Sequence, residues 1–529
     1  MKTRTSTAFL TGLLLSLLTA SGVTAQQALQ TPAEASGFTR YTSHVELVDY
    51  MEAVQAASVD MRLSTFGESW QGRVLPYAIF SRPAVRVPWE AMVSGKPVVL
   101  LASNVHGGER TLRESLLIMI RDFATRGTRL NAVLDDLVVL VVPTINPDGF
   151  ERGDRGTRGN AWGIDMNRDY MKLEQPALRN FVTRVVNRWH PHVSVDGHNG
   201  GSYPYNICYL GPTNDSSAPV ITELCDEEIF PLIDRRMEEQ GFQSFYYSGG
   251  GEEGWRVGGS DPRIGRNYLG MINTVGILFE SPGGQEREPA IKSGVVAYSA
   301  VVEFAHTRAS ELLSLVSEVR RETIAMGTRL QDQVTVAMEY ASEEWTVDYQ
   351  YLSGDRRTPR EERELVSVTG GKIMKKPVPT TQRERPWAYL LPRDAVEAVE
   401  LLTEHGIAVE VLREEVTLEV QAYRLADLDY RREYNHDAAV VVEIGEVVTV
   451  EEEFPEGTYV IPTDQVMGRI AAHLMEPETN DNIFRWNRMD AWLPKPRLER
   501  WKAGEVDEAP LLPVYKLLRP TPLPTTLKN

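Results

Sequence analysis

Four times between residues 97 and 280 the chain runs from an apolar, strand-like stretch into residues that can hold a metal or a proton. Pro97–Val105 leads into His106-Gly-Gly-Glu109. Asp136–Ile145, centred on Leu137-Val-Val-Leu-Val-Val142, leads into Asn146-Pro-Asp-Gly149. Pro191–Asp196 ends at His198, and Thr274–Phe279 ends at Glu280. Helical periodicity fills the intervals over Arg110–Phe123, Gln175–Trp189 and Ala218–Gln240. Continuous apolar strands alternating with helices imply an α/β domain, with a parallel or mostly parallel sheet covered on both faces. In such sheets ligands bind beyond the carboxyl ends of the strands, and here the polar residues gather at those ends.

His106 and Glu109 stand three residues apart at a strand-to-helix turn, and His198 follows 89 residues after Glu109. An imidazole and a carboxylate so spaced can point at one centre. Two N ligands and one O ligand, with the fourth position open, is the set of a catalytic zinc rather than a structural one. A lone strand-end histidine is more often merely hydrogen-bonded; the three together favour the metal. His190 and His192 read as supporting or surface residues. Glu280 closes a largely apolar run, where a carboxylate without a partner is costly, so a functional role is the better reading.

The net charge of −18 argues against a nucleic-acid partner, since no basic face is apparent. Lys2 and Arg4, the 13-residue stretch Ala8–Ala20 and Val23-Thr-Ala25 read as a cleavable signal peptide over residues 1–25. The stretch is too short to span a membrane, so stable membrane insertion is not expected and the protein reads as secreted or periplasmic. Two cysteines, Cys208 and Cys225, fit a disulfide or two free thiols equally well. Gly249–Gly270 carries eight glycines and reads as a loop, either covering substrate or simply exposed. Arg263 and Arg266 within it read as a solvated surface, the alternative being contact with an acidic substrate.

His106-x-x-Glu109, His198, Arg158 with Asn160 and Gly163, Asp165-Met-Asn167-Arg168 and Glu280 together resemble the zinc metallocarboxypeptidases of the carboxypeptidase A type. Arg158-Gly-Asn-Ala-Trp-Gly-Ile-Asp-Met-Asn-Arg168 is closest to the branch that includes carboxypeptidases D and E. The resemblance covers roughly residues 38–330. It implies one zinc ion, a mixed eight-stranded sheet flanked by helices, and removal of the C-terminal residue from peptides or proteins. It also implies His106, Glu109 and His198 as metal ligands, Glu280 as general base and Arg158 as oxyanion donor, chosen over Arg152 and Arg155 by its spacing to Asn167. Asn167 and Arg168 would grip the terminal carboxylate, a task suited to the planar guanidinium. The family places a tyrosine in the loop before the Glu280 strand; Tyr246, Tyr247 and Tyr268 all stand there, and Tyr247 is the assignment.

The expected organisation is a signal peptide (1–25), a linker (26–37), a catalytic domain (38–330) and a C-terminal domain (335–529) that is α+β or β-rich. Residues 293–329 read as one long amphipathic helix or a helix pair. Thr346–Arg393 is charged and reads as loop-rich. Ala395–His405 and Asp464–Leu474 read as helices, with β-like runs at Ile407–Leu412, Thr417–Ala422, Ala438–Ile444 and Thr458–Ile461. The leading function is a secreted zinc metallocarboxypeptidase. A zinc amidohydrolase acting on acyl-amino acids or cell-wall peptides would use the same chemistry. A non-catalytic binding protein on a peptidase scaffold is disfavoured, because no ligand and no base is missing.

Overall fold

The computed structural model describes residues 29–329, 331–355 and 357–528, so the signal-peptide reading lies outside the described residues. The central sheet takes strands β1 (Met61–Glu68), β2 (Val74–Phe80), β3 (Val98–Ser103), β4 (Val138–Val142), β5 (Val193–His198), β6 (Ile207–Leu210), β7 (Ser244–Tyr246) and, after an intervening hairpin of β8 (Ser248–Gly251) and β9 (Gly254–Val257), β10 (Val275–Glu280). Its order is β1-β2-β4-β3-β5-β10-β6-β7. The adjacent strands β4, β3, β5 and β10 run parallel, while β1, β2 and β6 supply antiparallel pairs. This is the mixed, mostly parallel eight-stranded sheet that was expected. Every residue of β3, β4, β5 and β10 is buried, which is why these strands carry no polar alternation.

Helices cover both faces. Thr111–Ala124 packs on the sheet beside the helices His44–Ala57 and Arg287–Thr307, which also touch it. The amphipathic stretch near residue 300 is a pair, Arg287–Thr307 and Ala309–Thr328. Within the segment read as a linker, Pro32–Ala35 forms a short helix, and Glu34 pairs with Arg121 at 2.6 Å. Among the described residues no helix is long and apolar enough to cross a membrane.

The second half is β-rich. β11 (Gln333–Leu352) and β12 (Leu365–Glu384) form a long hairpin that joins β9 and β8 in a four-stranded sheet. β13 (Ala388–Leu391), β14 (Glu410–Leu412), β15 (Val416–Glu433), β16 (His436–Phe454), β17 (Tyr459–Pro462), β18 (Leu511–Leu517) and β19 (Thr525–Leu527) make an antiparallel seven-stranded sheet. Thr346–Arg393 is therefore mostly strand rather than loop. Charge misleads there because most of the hairpin meets solvent on both faces, so nothing demands apolar residues.

The glycine-rich segment also departs from its reading as a loop. Trp255 on β9 is fully buried and pairs with Ile373 of β12, and every residue of the helix Gly265–Met271 is buried. Apolar residues of both halves share one core, with Leu178 and Tyr268 packed in the same cluster as Leu402, Tyr423 and Leu474. Cys208 and Cys225 are free, buried thiols.

Candidate active site

Three adjacent parallel strands, β3, β5 and β10, deliver the chemistry at their carboxyl ends. In register, Ser103 faces Gly197 and Glu280 faces His198, so the side chains of His198 and Glu280 leave the same face of the sheet. The His106 turn is held by Asn104, whose backbone is left-handed (φ 61), a conformation that asparagine tolerates better than most residues. Its Nδ2 donates to the carbonyls of His106 (2.9 Å), Gly107 (3.2 Å) and Glu109 (2.9 Å). Asn146, at the end of β4, donates to the Val105 carbonyl at 3.0 Å. Gly107 is required: a Cβ there would lie 2.1 Å from the Gly149 backbone.

His106, Glu109 and His198 form one cluster whose donor atoms lie within 4.8 Å of one another. His106 Nδ1 is 2.9 Å from Glu109 Oε1, and His198 Nδ1 is 2.8 Å from Glu109 Oε2. The opposite nitrogens are held by carboxylates, His106 Nε2 by Asp165 at 2.9 Å and His198 Nε2 by Asp196 at 2.9 Å. That arrangement keeps the protons on Nε2 and turns both Nδ1 lone pairs inward, where they approach to 3.1 Å. Facing lone pairs beside a carboxylate call for a cation, and a carboxylate behind each histidine is how metal-binding imidazoles are oriented. The residues present fit a zinc ion.

Glu280 is buried, and its Oε2 has no hydrogen-bond partner among the described residues. Burial, reinforced by Glu109 and opposed by the imidazoles, pushes its carboxyl up to about 7. Gly200 makes the room, since a Cβ there would sit 2.5 Å from Glu280 Oε2. Arg158 is half-exposed; its Nε donates to Asp165 at 2.9 Å, and its Nη1 lies 3.6 Å from Glu109. Asn167 Oδ1 accepts from the Gly265 N–H (2.9 Å), and its Nδ2 lies 3.5 Å from His198 Nε2. Arg168 Nη1 donates to the Asn167 carbonyl at 2.8 Å.

Of the three tyrosines, Tyr247 feels the charges of Glu280, Glu109 and Arg158, and burial above all pushes its phenol up to about 12. Tyr246 instead donates to Asp226 (3.0 Å), and Tyr268 lies 3.1 Å from His405 Nδ1. His192 accepts from the Val98 N–H, at the far end of the strands.

Sequence reasoning missed several contributors. Asp196 was detectable, because two residues before His198 on one strand puts both on the same face. Asp165 stood inside the quoted motif without a role. Tyr434, between β15 and β16, comes within electrostatic reach of Arg158 from the second half, and no local signal could place it there. Arg263 and Arg266 are buried rather than solvated: Arg263 pairs with Asp481 at 3.0 Å, and both are drawn in where the glycine-rich segment packs.

Residues 47–226 match the family model described as zinc carboxypeptidase. Carboxypeptidase 2 of Trichophyton rubrum is 24% identical over 443 residues, covering 79% of this chain and 78% of that protein. Carboxypeptidase D of Rattus norvegicus is 32% identical over 234 residues, 37% of this chain and 17% of that protein. Among solved structures, a metallo-carboxypeptidase from Burkholderia cenocepacia has 19% identity, covers 50% of this chain and 69% of its own, and gives a TM-score of 0.40. By the family match over residues 47–226, which include the candidate metal cluster, this chain carries a zinc carboxypeptidase domain, the domain of a peptide-bond hydrolase.

Proposed function

We propose that the protein is a secreted carboxypeptidase that binds one zinc ion and releases the terminal residue from peptides or proteins. The observation that carries this reading is the inward-facing Nδ1 pair with Glu109, backed by Asp165 and Asp196, one strand away from an unpartnered Glu280. His106, Glu109 and His198 hold the metal. Bound zinc supplies a Lewis acid that polarises the scissile carbonyl and brings the pKa of water down to about 7.

Arg168 and the Asn167 amide grip the substrate's terminal carboxylate, which orients the last peptide bond at the centre. Glu280 takes the proton from the attacking water and returns it to the leaving amine, a task for which a buried carboxylate one strand from the metal ligands, with Oε2 unpartnered among the described residues, is placed. Arg158 reaches past Asp165 to the developing oxyanion, where one well-placed donor is typically worth about 3–4 kcal/mol. Tyr247 lines the cleft as a substrate contact. Residues 1–25 direct export, 26–37 lead into the catalytic domain (38–330), and 335–529 form a C-terminal domain that buttresses the site and reaches its rim at Tyr434.

The test is to incubate protein starting at Gln26 with a mixed peptide library, with and without chelator, and to follow products by mass spectrometry. The expected result is chelator-sensitive ladders shortened one residue at a time from the C-terminus. Stoichiometric zinc with no peptide shortened would overturn this reading in favour of an amidohydrolase.

A further inference from the structure

Arg266 is 3% exposed, yet among the described residues no carboxylate lies within ion-pair distance of it. Its Nη2 donates to neutral acceptors only, the Gly259 carbonyl and Thr213 Oγ1. Its Nε is buried with no partner. Three other buried arginines have a carboxylate at hand: Arg113 pairs with Glu114 (3.2 Å), Arg263 with Asp481 (3.0 Å), and Arg385 lies 3.9 Å from Asp332. Arg469 spends Nε and Nη1 on Thr323 and Ser216, tying the two halves together. A buried cation without a counter-charge is destabilising, so its retention needs a reason.

Its position supplies one. Arg266 follows Gly265, whose N–H docks on Asn167. Arg168, Tyr247 and Glu280 all lie within electrostatic reach of its guanidinium. A Cβ at Gly258 would fall 2.8 Å from the Tyr247 ring and 3.6 Å from Arg266 Nη2, so glycine lets phenol and guanidinium pack side by side against one backbone. In the proposed binding mode Asn167 and Arg168 anchor the terminal carboxylate, and the terminal side chain leaves the same Cα. Arg266 therefore stands one residue beyond the anchor, with hydrogen-bonding capacity unspent.

We propose that Arg266 is the specificity-determining residue of the cleft, pairing with a side-chain carboxylate so that the enzyme favours chains ending in glutamate or aspartate. This rests on the carboxypeptidase reading and adds the substrate class to it. In the proposed binding mode Arg168 is taken by the main-chain carboxylate and Arg158 by Asp165 and the oxyanion, which leaves Arg266 for that side chain.

The experiment compares N-acylated dipeptides Ala-Glu, Ala-Gln, Ala-Leu and Ala-Lys with the zinc-loaded wild type, Arg266→Met and Arg266→Lys. Glutamate and glutamine differ in charge at nearly constant shape. Wild type is expected to prefer Ala-Glu over Ala-Gln by about tenfold to a hundredfold in kcat/KM. Arg266→Met should bring that ratio near or below one, and Arg266→Lys should restore part of it. Calorimetric binding of the same pair to zinc-loaded Glu280→Gln should show the same order without turnover. Faster cleavage of the Gln, Leu or Lys peptide by wild type overturns the inference alone, as does an unchanged ratio in Arg266→Met. Cleavage of none of the four overturns the carboxypeptidase reading, and the inference falls with it. The wild-type ratio decides even if a variant does not fold.

Discussion

Glu280 differs from the other carboxylates of the site in having no ion-pair partner among the described residues. Glu109 is flanked by two imidazoles, Asp165 by His106 and Arg158, and Asp196 by His198, whereas Glu280 Oε2 has no partner. Glutamine keeps the shape of that side chain but cannot take a proton. Glu280→Gln should therefore retain stoichiometric zinc and lose about 10²- to 10⁴-fold in kcat; undiminished turnover would show that another group is the base. Asp196 has the opposite profile, acting through His198 rather than on substrate. Asp196→Asn keeps an acceptor but removes the charge that makes the imidazole a strong ligand, and zinc affinity should fall about tenfold to a hundredfold. Competition against a chromogenic chelator measures this directly, and wild-type affinity would show that Asp196 contributes nothing to the metal.

At the scale of elements, Asp234 shows how a helix is fastened to the sheet edge. It sits on Phe230–Glu239 and accepts from Tyr209 of β6 (2.9 Å) and Ser244 of β7 (2.6 Å). Burial pushes its pKa up to about 6 against the hydrogen bonds that oppose the shift. A carboxyl raised on folding contributes stability that is fully present below its unfolded pKa, about 3.9, and is lost as pH rises through about 6. Asp234→Asn abolishes that slope. Urea midpoints at pH 4, 5, 6 and 7 should move in the variant's favour as pH rises, and an offset independent of pH would sink the idea. These edge contacts were not legible in the sequence, unlike the strands themselves. β3, β4, β5 and β10 are buried on both faces, so their apolar runs announce them, and the residues that follow are the site. Most of the β11–β12 hairpin is solvated on both faces, with burial confined to a few residues such as Tyr349, Tyr351 and Ile373, so no apolar run announces it. Arg266 looked like a surface charge because burial there is imposed by the packing of the glycine-rich segment against the second half, a long-range fact.

At the scale of the molecule, the boundary near residue 330 marks a change of texture rather than a break in the core. β9 pairs with β12 through Trp255 and Ile373. Arg263 is paired with Asp481 and donates to the Asn480 carbonyl at 2.5 Å, while Asn480 Nδ2 donates back to Asp261 at 2.8 Å. His405 is fully buried between Tyr268 (3.1 Å) and the Met171 carbonyl (3.2 Å). These are buried polar contacts made by one half on the other, and each leaves an unsatisfied group if its partner is removed. Separate cores would allow two transitions; a shared one does not. Calorimetry of the full chain is therefore expected to show a single endotherm, with zinc raising its midpoint. A chain ending at Thr328 should lack a cooperative transition and bind no stoichiometric zinc. Arg263→Ala tests the seam without cutting it, because it strands the Asp481 carboxylate in the interior, a change that typically costs about 3–5 kcal/mol. Its midpoint should fall as one transition, the site melting together with the seven-stranded sheet. Two resolved endotherms, or a zinc-binding 29–328 fragment that melts cooperatively, would instead show that the second half is an independent neighbour and that the residues it presents to the cleft are incidental.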